Sequence, residues 1–207
     1  MRKSIIVGFA ALLGGACLLL APAQELKDPP IGTEVVFTPS ILFRGDLARI
    51  APHLELAGVG CVKLSFVGER RLDAFVDVWN EGKCETFSLG TSDPITEREA
   101  SLTVREIRDE AGKGQYRITL AHGGTTGRRN IEIPMVAKET AVLTSGFTKE
   151  ARRDNKTPVP IWIMAAGKGA VPTQILEDLE ERAKRVEWAM VVKIALRKSE
   201  PDRVGFD

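Results

Sequence analysis

The 207-residue chain lacks any excess of charge: 29 basic residues face 28 acidic ones, a net +1. With no net field, neither nucleic acid nor an anionic membrane surface is an expected partner. Cysteine is scarce, at three residues, which excludes a small cysteine-dense scaffold. Histidine is scarcer still, at two, which leaves little for imidazole catalysis. The sequence has no H-E-x-x-H, no Walker loop, no S-x-x-K and no G-x-S-x-G. Its one long apolar run, Ile5 to Leu20, is shorter than the about 20 residues a membrane span needs. What is present is ordinary for a globular protein: 43% hydrophobic and 28% charged residues. Disorder and collagen are excluded, and the length fits one large domain or two small ones.

The N-terminus carries a three-part pattern. Arg2 and Lys3 are followed by the apolar run and then by Ala21-Pro22-Ala23, small at both positions that signal peptidase reads. This reads as a secretory signal peptide over residues 1–23, so the mature protein is expected to be secreted or periplasmic. Two alternatives stay open. Cys17, preceded by Ala16, offers a lipoprotein reading. An uncleaved N-terminal anchor is the other.

From Thr33 to about Lys138, short segments alternate with period two between turn residues. Expected strands cover 33–38, 62–66, 72–79, 85–89, 101–107, 116–120 and 130–136. Leu72, Ala74, Val76 and Val78 share one face of their strand, while Asp73, Phe75, Asp77 and Trp79 share the other. Strands so closely spaced, without helices between them, predict a mostly β fold, an antiparallel sandwich. The pattern changes after Lys138. Residues 141–144 read as a strand, 149–158 as a surface loop, and 159–164 as an edge strand because of Pro160. Thr173 to Arg185 predicts a helix, capped by Thr173 and striped by Ile175, Leu176, Leu179 and Ala183. Residues 188–196 alternate as a strand, with a continued helix as the alternative. The division is therefore a sandwich over 31–138, a small α+β extension over 139–198 and a polar tail over 199–207.

Three stretches carry a family resemblance. Val62-Lys63-Leu64-Ser65-Phe66-Val67-Gly68 looks like strand B of an immunoglobulin-like domain. Val78-Trp79-Asn80-Glu81-Gly82-Lys83 looks like strand C and its turn. Ser101 to Ile107, followed by Gly112 and Tyr116, looks like strand E leading to the tyrosine corner of strand F. The segment Val62–Lys138 thus resembles the intermediate, I-set type. The resemblance implies a core of Phe66, Trp79, Tyr116 and Ile118, with Phe66 and Ile118 standing where the family places its B–F disulfide. It implies a binding or scaffolding role, with a protein or a carbohydrate as partner and no cofactor.

The remaining thiols, Cys61 and Cys84, are expected to pair in an oxidising compartment, a bridge worth about 3 kcal/mol. The alternative is two separate buried cysteines, and the immunoglobulin analogy argues for it. His53-Leu54-Glu55 has the H-x-E form of a zinc deaminase without the P-C-x-x-C that should follow. His122-Gly123-Gly124 has the form of an esterase oxyanion loop without its nucleophile. Both histidines are expected in surface or turn positions, and no residue is assigned as catalytic. Gly167-Lys168-Gly169 lies where a phosphate turn would sit, but Pro172 replaces the third glycine, so a plain loop is expected. Asp73, Asp77, Asn80 and Glu81 gather oxygen ligands around one strand end and are the only calcium candidate. Asn155-Lys156-Thr157 is a glycosylation sequon, weakened by the Pro158 that follows and relevant only in a eukaryote. The expectation is an exported, non-enzymatic binding module. The rival is an exported hydrolase or sugar-processing enzyme using Asp73, Asp77 and Glu81.

Overall fold

The computed structural model describes residues 34–43, 47–92, 99–140, 142–146, 150–154, 157–167 and 179–198. The expected signal segment with Cys17, Asn155 and Lys156 of the sequon, Lys168 and Gly169, the first part of the 173–185 helix and the tail 199–207 lie outside the described residues.

The chain builds β1 (Val35–Pro39), α1 (Leu47–Ile50), a 3-10 turn (Ala51–Leu54), β2 (Leu56–Ser65), β3 (Arg70–Asn80), β4 (Lys83–Thr91), β5 (Glu99–Arg108) and β6 (Gly114–His122). Then follow β7 (Thr125–Glu132), α2 (Met135–Glu139), β8 (Leu143–Gly146), β9 (Ala151–Arg153), β10 (Val159–Ala166), α3 (Leu179–Ala183) and β11 (Trp188–Lys198). One sheet has the order β7-β6-β5-β2-β1-β9 and the other β4-β3-β11-β10-β8, with every pairing antiparallel. The fold is the expected mostly β sandwich with a small helical addition.

The core lies between the sheets and follows from the alternation. Val62 and Leu64 of β2, Leu102 and Val104 of β5, and Ile118 and Leu120 of β6 point inward from one sheet. Leu72, Ala74 and Val76 of β3 meet them from the other, with Trp162, Met164, Met190, Val192 and Ile194. β10 and β11 are apolar on both faces, as strands covered on both sides must be. Their outward residues Ile163, Ala165, Ala189 and Val191 form a second cluster with Ala183 of α3 and Val186. Residues 139–198 accordingly supply β8, β10 and β11 to one sheet and β9 to the edge of the other.

Several local expectations change. β7 starts at Thr125 and stops at Glu132, because Gly123 and Gly124, at φ 54° and 75°, make a tight two-residue turn after His122 and Pro134 opens α2. Residues 151–153, expected in a loop, form β9 against the free edge of β1, and Arg152 pairs with Glu34 (3.4 Å). β10 is not an edge strand. Pro160 is tolerated because β8 pairs only with Trp162–Ala165, and the register against β11 shifts between Pro160 and Trp162. The alternation read over 188–196 is a strand, β11, and not a continued helix.

Two core expectations are also corrected. Cys61 and Cys84 are thiols, not a bridge. Cys61 sits on β2 between inward Gly60 and Val62, so it faces outward from the six-stranded sheet. Cys84 is paired with outward Trp79 on the other sheet. The core separates them, and sheets stacked about 10 Å apart exceed the span of a disulfide. Phe66, Tyr116 and Ile118 are in the main core, as expected. Trp79 is not. It lies on the outer face and packs against the cluster beneath α3. Parity decides this: β3 shows no bulge near Asp77, so Trp79 keeps the face of Asp73 and Asp77. The bulge is on β4, where Leu89 is the extra residue between the Ala74–Gly90 and Phe75–Ser88 pairs. The strand placement differs from the I-set order as well. β2, β5 and β6 share a sheet while β3 lies in the other, whereas the family puts strands C and F together.

Candidate binding site

The acidic residues marked by the sequence lie on the outer face of β3. Asp73 and Asp77 are 4% and 3% exposed. The register pairs Asp73 with Ala195 and Asp77 with Val191, so the β11 side chains beside them are Arg197 and Lys193. Arg197 forms an ion pair with Asp73, and Lys193 one with Asp77. On the other side, Thr91 Oγ1 donates to Asp73 Oδ1 (2.7 Å) and Thr86 Oγ1 to Asp77 Oδ1 (2.7 Å). Lys193 also reaches Glu180 of α3 (3.2 Å). Burial works to lower the Lys193 pKa, but the hydrogen bond and charge of Asp77, with Glu180, outweigh it and raise the value. The two aspartates join β3 to β4 and β11, Lys193 extends the network to α3, and both carboxylates are already matched by cations and hydroxyls. Asn80 and Glu81 stand apart at the β3–β4 turn, both exposed, with Glu81 at φ 48° and Gly82 at φ 77°. Among the described residues no group of three or more His, Cys, Asp or Glu is placed to hold a metal ion. Asp73 and Asp77 are thus engaged within the sheet and lie apart from Asn80 and Glu81, so the four calcium candidates are not brought together. Cys84 lies near the same network, and burial, followed by the Asp77 charge, raises its thiol pKa.

The concave features lie elsewhere, along the seam where β4 and β7, edges of the two sheets, run past one another. The seam is pinched at one point. A Cβ on Gly127 would overlap the carbonyl oxygen of Leu89, so the strands approach as only glycine permits. Next to the pinch, the Arg129 guanidinium sits 4.5 Å from the centre of the Phe87 ring. Beyond it the strands part and leave a cleft of 520 Å³. Val78, Phe87, Ile131 and Trp188 form its apolar floor, and Asn80, Lys83, Glu85, Asn130 and Glu132 line its polar side. Trp188, 2% exposed, stacks on Tyr116 of the opposite sheet with ring centres 6.0 Å apart. Burial there, with the Glu106 charge, raises the Tyr116 pKa. Chemically the cleft can bind: it offers an apolar slot, two side-chain amides and charges of both signs. Cys84 also lines it.

On the other side of the pinch a smaller cavity of 190 Å³ reaches His122. His122 is not at the surface; it is 4% exposed. His53 is exposed in the 3-10 turn. Gly167 donates its backbone N–H to Thr140 Oγ1 (3.0 Å), consistent with a connecting turn. Sequence reasoning missed the seam. The available signal was the Gly123-Gly124 turn, which sets Thr125 opposite His122 and thereby turns Gly127, Arg129 and Ile131 inward. No helix of the described residues is long and apolar enough to cross a membrane. No protein-family model matches the chain, and the comparisons with curated proteins and with solved structures find no match.

Proposed function

We propose that the protein is an exported, non-enzymatic binding module that takes an extended peptide segment in the cleft between β4 and β7. The observation that carries this reading is the 520 Å³ cleft itself, floored by apolar side chains and walled by two edge strands. Strands β4 and β7 are nine and eight residues long, whereas the opposite edges, β9 and β8, have three and four. Short edges protect a sheet from adventitious pairing; long ones offer backbone donors and acceptors to an added strand. Asn80 supplies an amide that can bond a peptide backbone, Asn130 keeps its NH2 as a donor while its Oδ1 accepts from Arg117 Nε (3.3 Å), and the apolar floor suits alternate side chains of an extended chain. A protein partner is favoured over a carbohydrate because the Trp188 ring, though part of the floor, is only 2% exposed and stacks on Tyr116, so it is not displayed for stacking on a sugar. Export rests on the N-terminal signal pattern.

A library of short peptides and a set of oligosaccharides, titrated while tryptophan emission and backbone amide resonances are followed, tests the reading. Extended peptides with alternating apolar residues are expected to shift Trp188 emission and the β4 and β7 amides. Glu85→Trp, which fills the cleft from an exposed position, should weaken binding at least tenfold. Oligosaccharide binding without peptide binding, or shifts confined to other strands, overturns it.

A further inference from the structure

We propose that the 190 Å³ cavity beside the Gly123-Gly124 turn is a second binding site, for a small uncharged molecule carrying one hydrogen-bond donor on an apolar body. The acceptor is Nε2 of His122. Nδ1 of His122 lies 2.7 Å from the carbonyl oxygen of Glu99. A carbonyl offers only lone pairs, so Nδ1 carries the proton and donates it. In the neutral ring Nε2 is then an acceptor, fixed in orientation by the first bond. It is buried, and no group among the described residues bonds to it. A buried polar atom left without a partner is a standing cost to the fold, and such groups call for a ligand or an ordered water.

The walls define the ligand. Leu72, Ala74, Leu89 and Leu120 supply apolar surface, and Ser92 and Thr125 add hydroxyls at the His122 end. The Ser92 hydroxyl already accepts the Leu72 backbone N–H (3.0 Å). Among the described residues no cation or carboxylate lines the cavity, so they match neither an anion nor a charged amine. A metal ion is not matched either, because one imidazole is a single ligand. A dry cavity of about 150 Å³ is large enough for benzene. A cavity of 190 Å³ therefore has room for a phenol-sized ring with its hydroxyl directed at Nε2. This site is separated from the cleft by the Gly127–Leu89 pinch, and its occupancy does not depend on the peptide reading.

Phenol is the probe and toluene the control, since the two differ by a hydroxyl replacing a methyl. Full-length protein with nitrogen-15 in its histidines is titrated with each. Phenol is expected to move the His122 Nε2 resonance saturably in the direction of an accepted hydrogen bond. Toluene should bind at least tenfold more weakly, and His122→Leu should abolish the difference between them. A His122 resonance that phenol leaves unmoved overturns the proposal and assigns the cavity to water. Equal affinity for phenol and toluene overturns it as well, by removing His122 from recognition. The titration of the parent protein decides the matter even if His122→Leu does not fold.

Discussion

Gly58 faces the indole of Trp162, and a Cβ there would overlap the ring at Cζ2. Trp162 is 1% exposed in the inter-sheet core. Gly58→Ala is therefore expected to destabilise by about 1–3 kcal/mol through overpacking. Trp162→Ala and Trp188→Ala remove rings from the main core and should each cost about 3–5 kcal/mol. Trp79→Ala should cost less, because that ring lies on the outer face under a short helix. Chemical denaturation of the four variants gives the order; a Trp79 variant less stable than the Trp188 variant would contradict the placement of both rings. The cysteines make a second residue-scale prediction. Cys61 donates to Glu99 Oε1 (3.1 Å) from one sheet, while Cys84 is exposed on the other. Peptide mapping of protein kept from reductant should recover both as alkylatable thiols with no linked peptide. Cys84 should alkylate only slowly until the pH exceeds the ordinary thiol value of 9.0, because its pKa is raised.

Between elements, the outer face of β3 and β11 carries a pH dependence. Lys193 has a pKa above its ordinary 10.5 in the folded protein. A group whose value is raised by folding stabilises fully below its unfolded pKa and loses that contribution as pH climbs through the folded one. Tyr116, raised from 10.0, acts in the same direction. The unfolding free energy should thus hold steady through neutral pH and fall above about pH 10. Lys193→Met should flatten part of that alkaline fall; an unchanged profile would remove the Asp77 pair from the account. The strands themselves were legible where alternation was clean. Leu72, Ala74, Val76 and Val78 announce β3, and Trp188 to Leu196 announce β11. The outward position of Trp79 was legible too, in its shared parity with Asp73 and Asp77, yet the resemblance to a core tryptophan pulled it inward. What could not be read was partnership. Nothing in residues 188–198 names residues 70–80 as their neighbour, and the seam exists only once β4 and β7 have become edges. The absence of a Cys61–Cys84 bridge has the same cause, since spacing along the chain does not tell on which sheet each thiol falls.

At the scale of the whole molecule, the N-terminal pattern makes the simplest prediction. Protein recovered from an exporting host should begin at Gln24 when sequenced. A diacylglyceryl group on Cys17 would make it a lipoprotein, and an intact N-terminus on a membrane-bound product would make it anchored. The order in which the strands are synthesised also bears on how the sandwich comes together.

β11 pairs along its whole length with β3 and joins it to β10, so the second sheet has a gap at its centre until the last described strand arrives. Contacts so distant in sequence fold slowly, on the scale of milliseconds to seconds. A chain emerging from a ribosome or a translocation channel displays β3 before its partner has been delivered, and then β10, apolar on both faces. During that interval both strands are open edges of the kind that draw in other chains. A chain cut before Trp188 never leaves it and should aggregate, whereas the complete chain passes through it once, so the last eleven-residue strand decides when the protein becomes safe in solution.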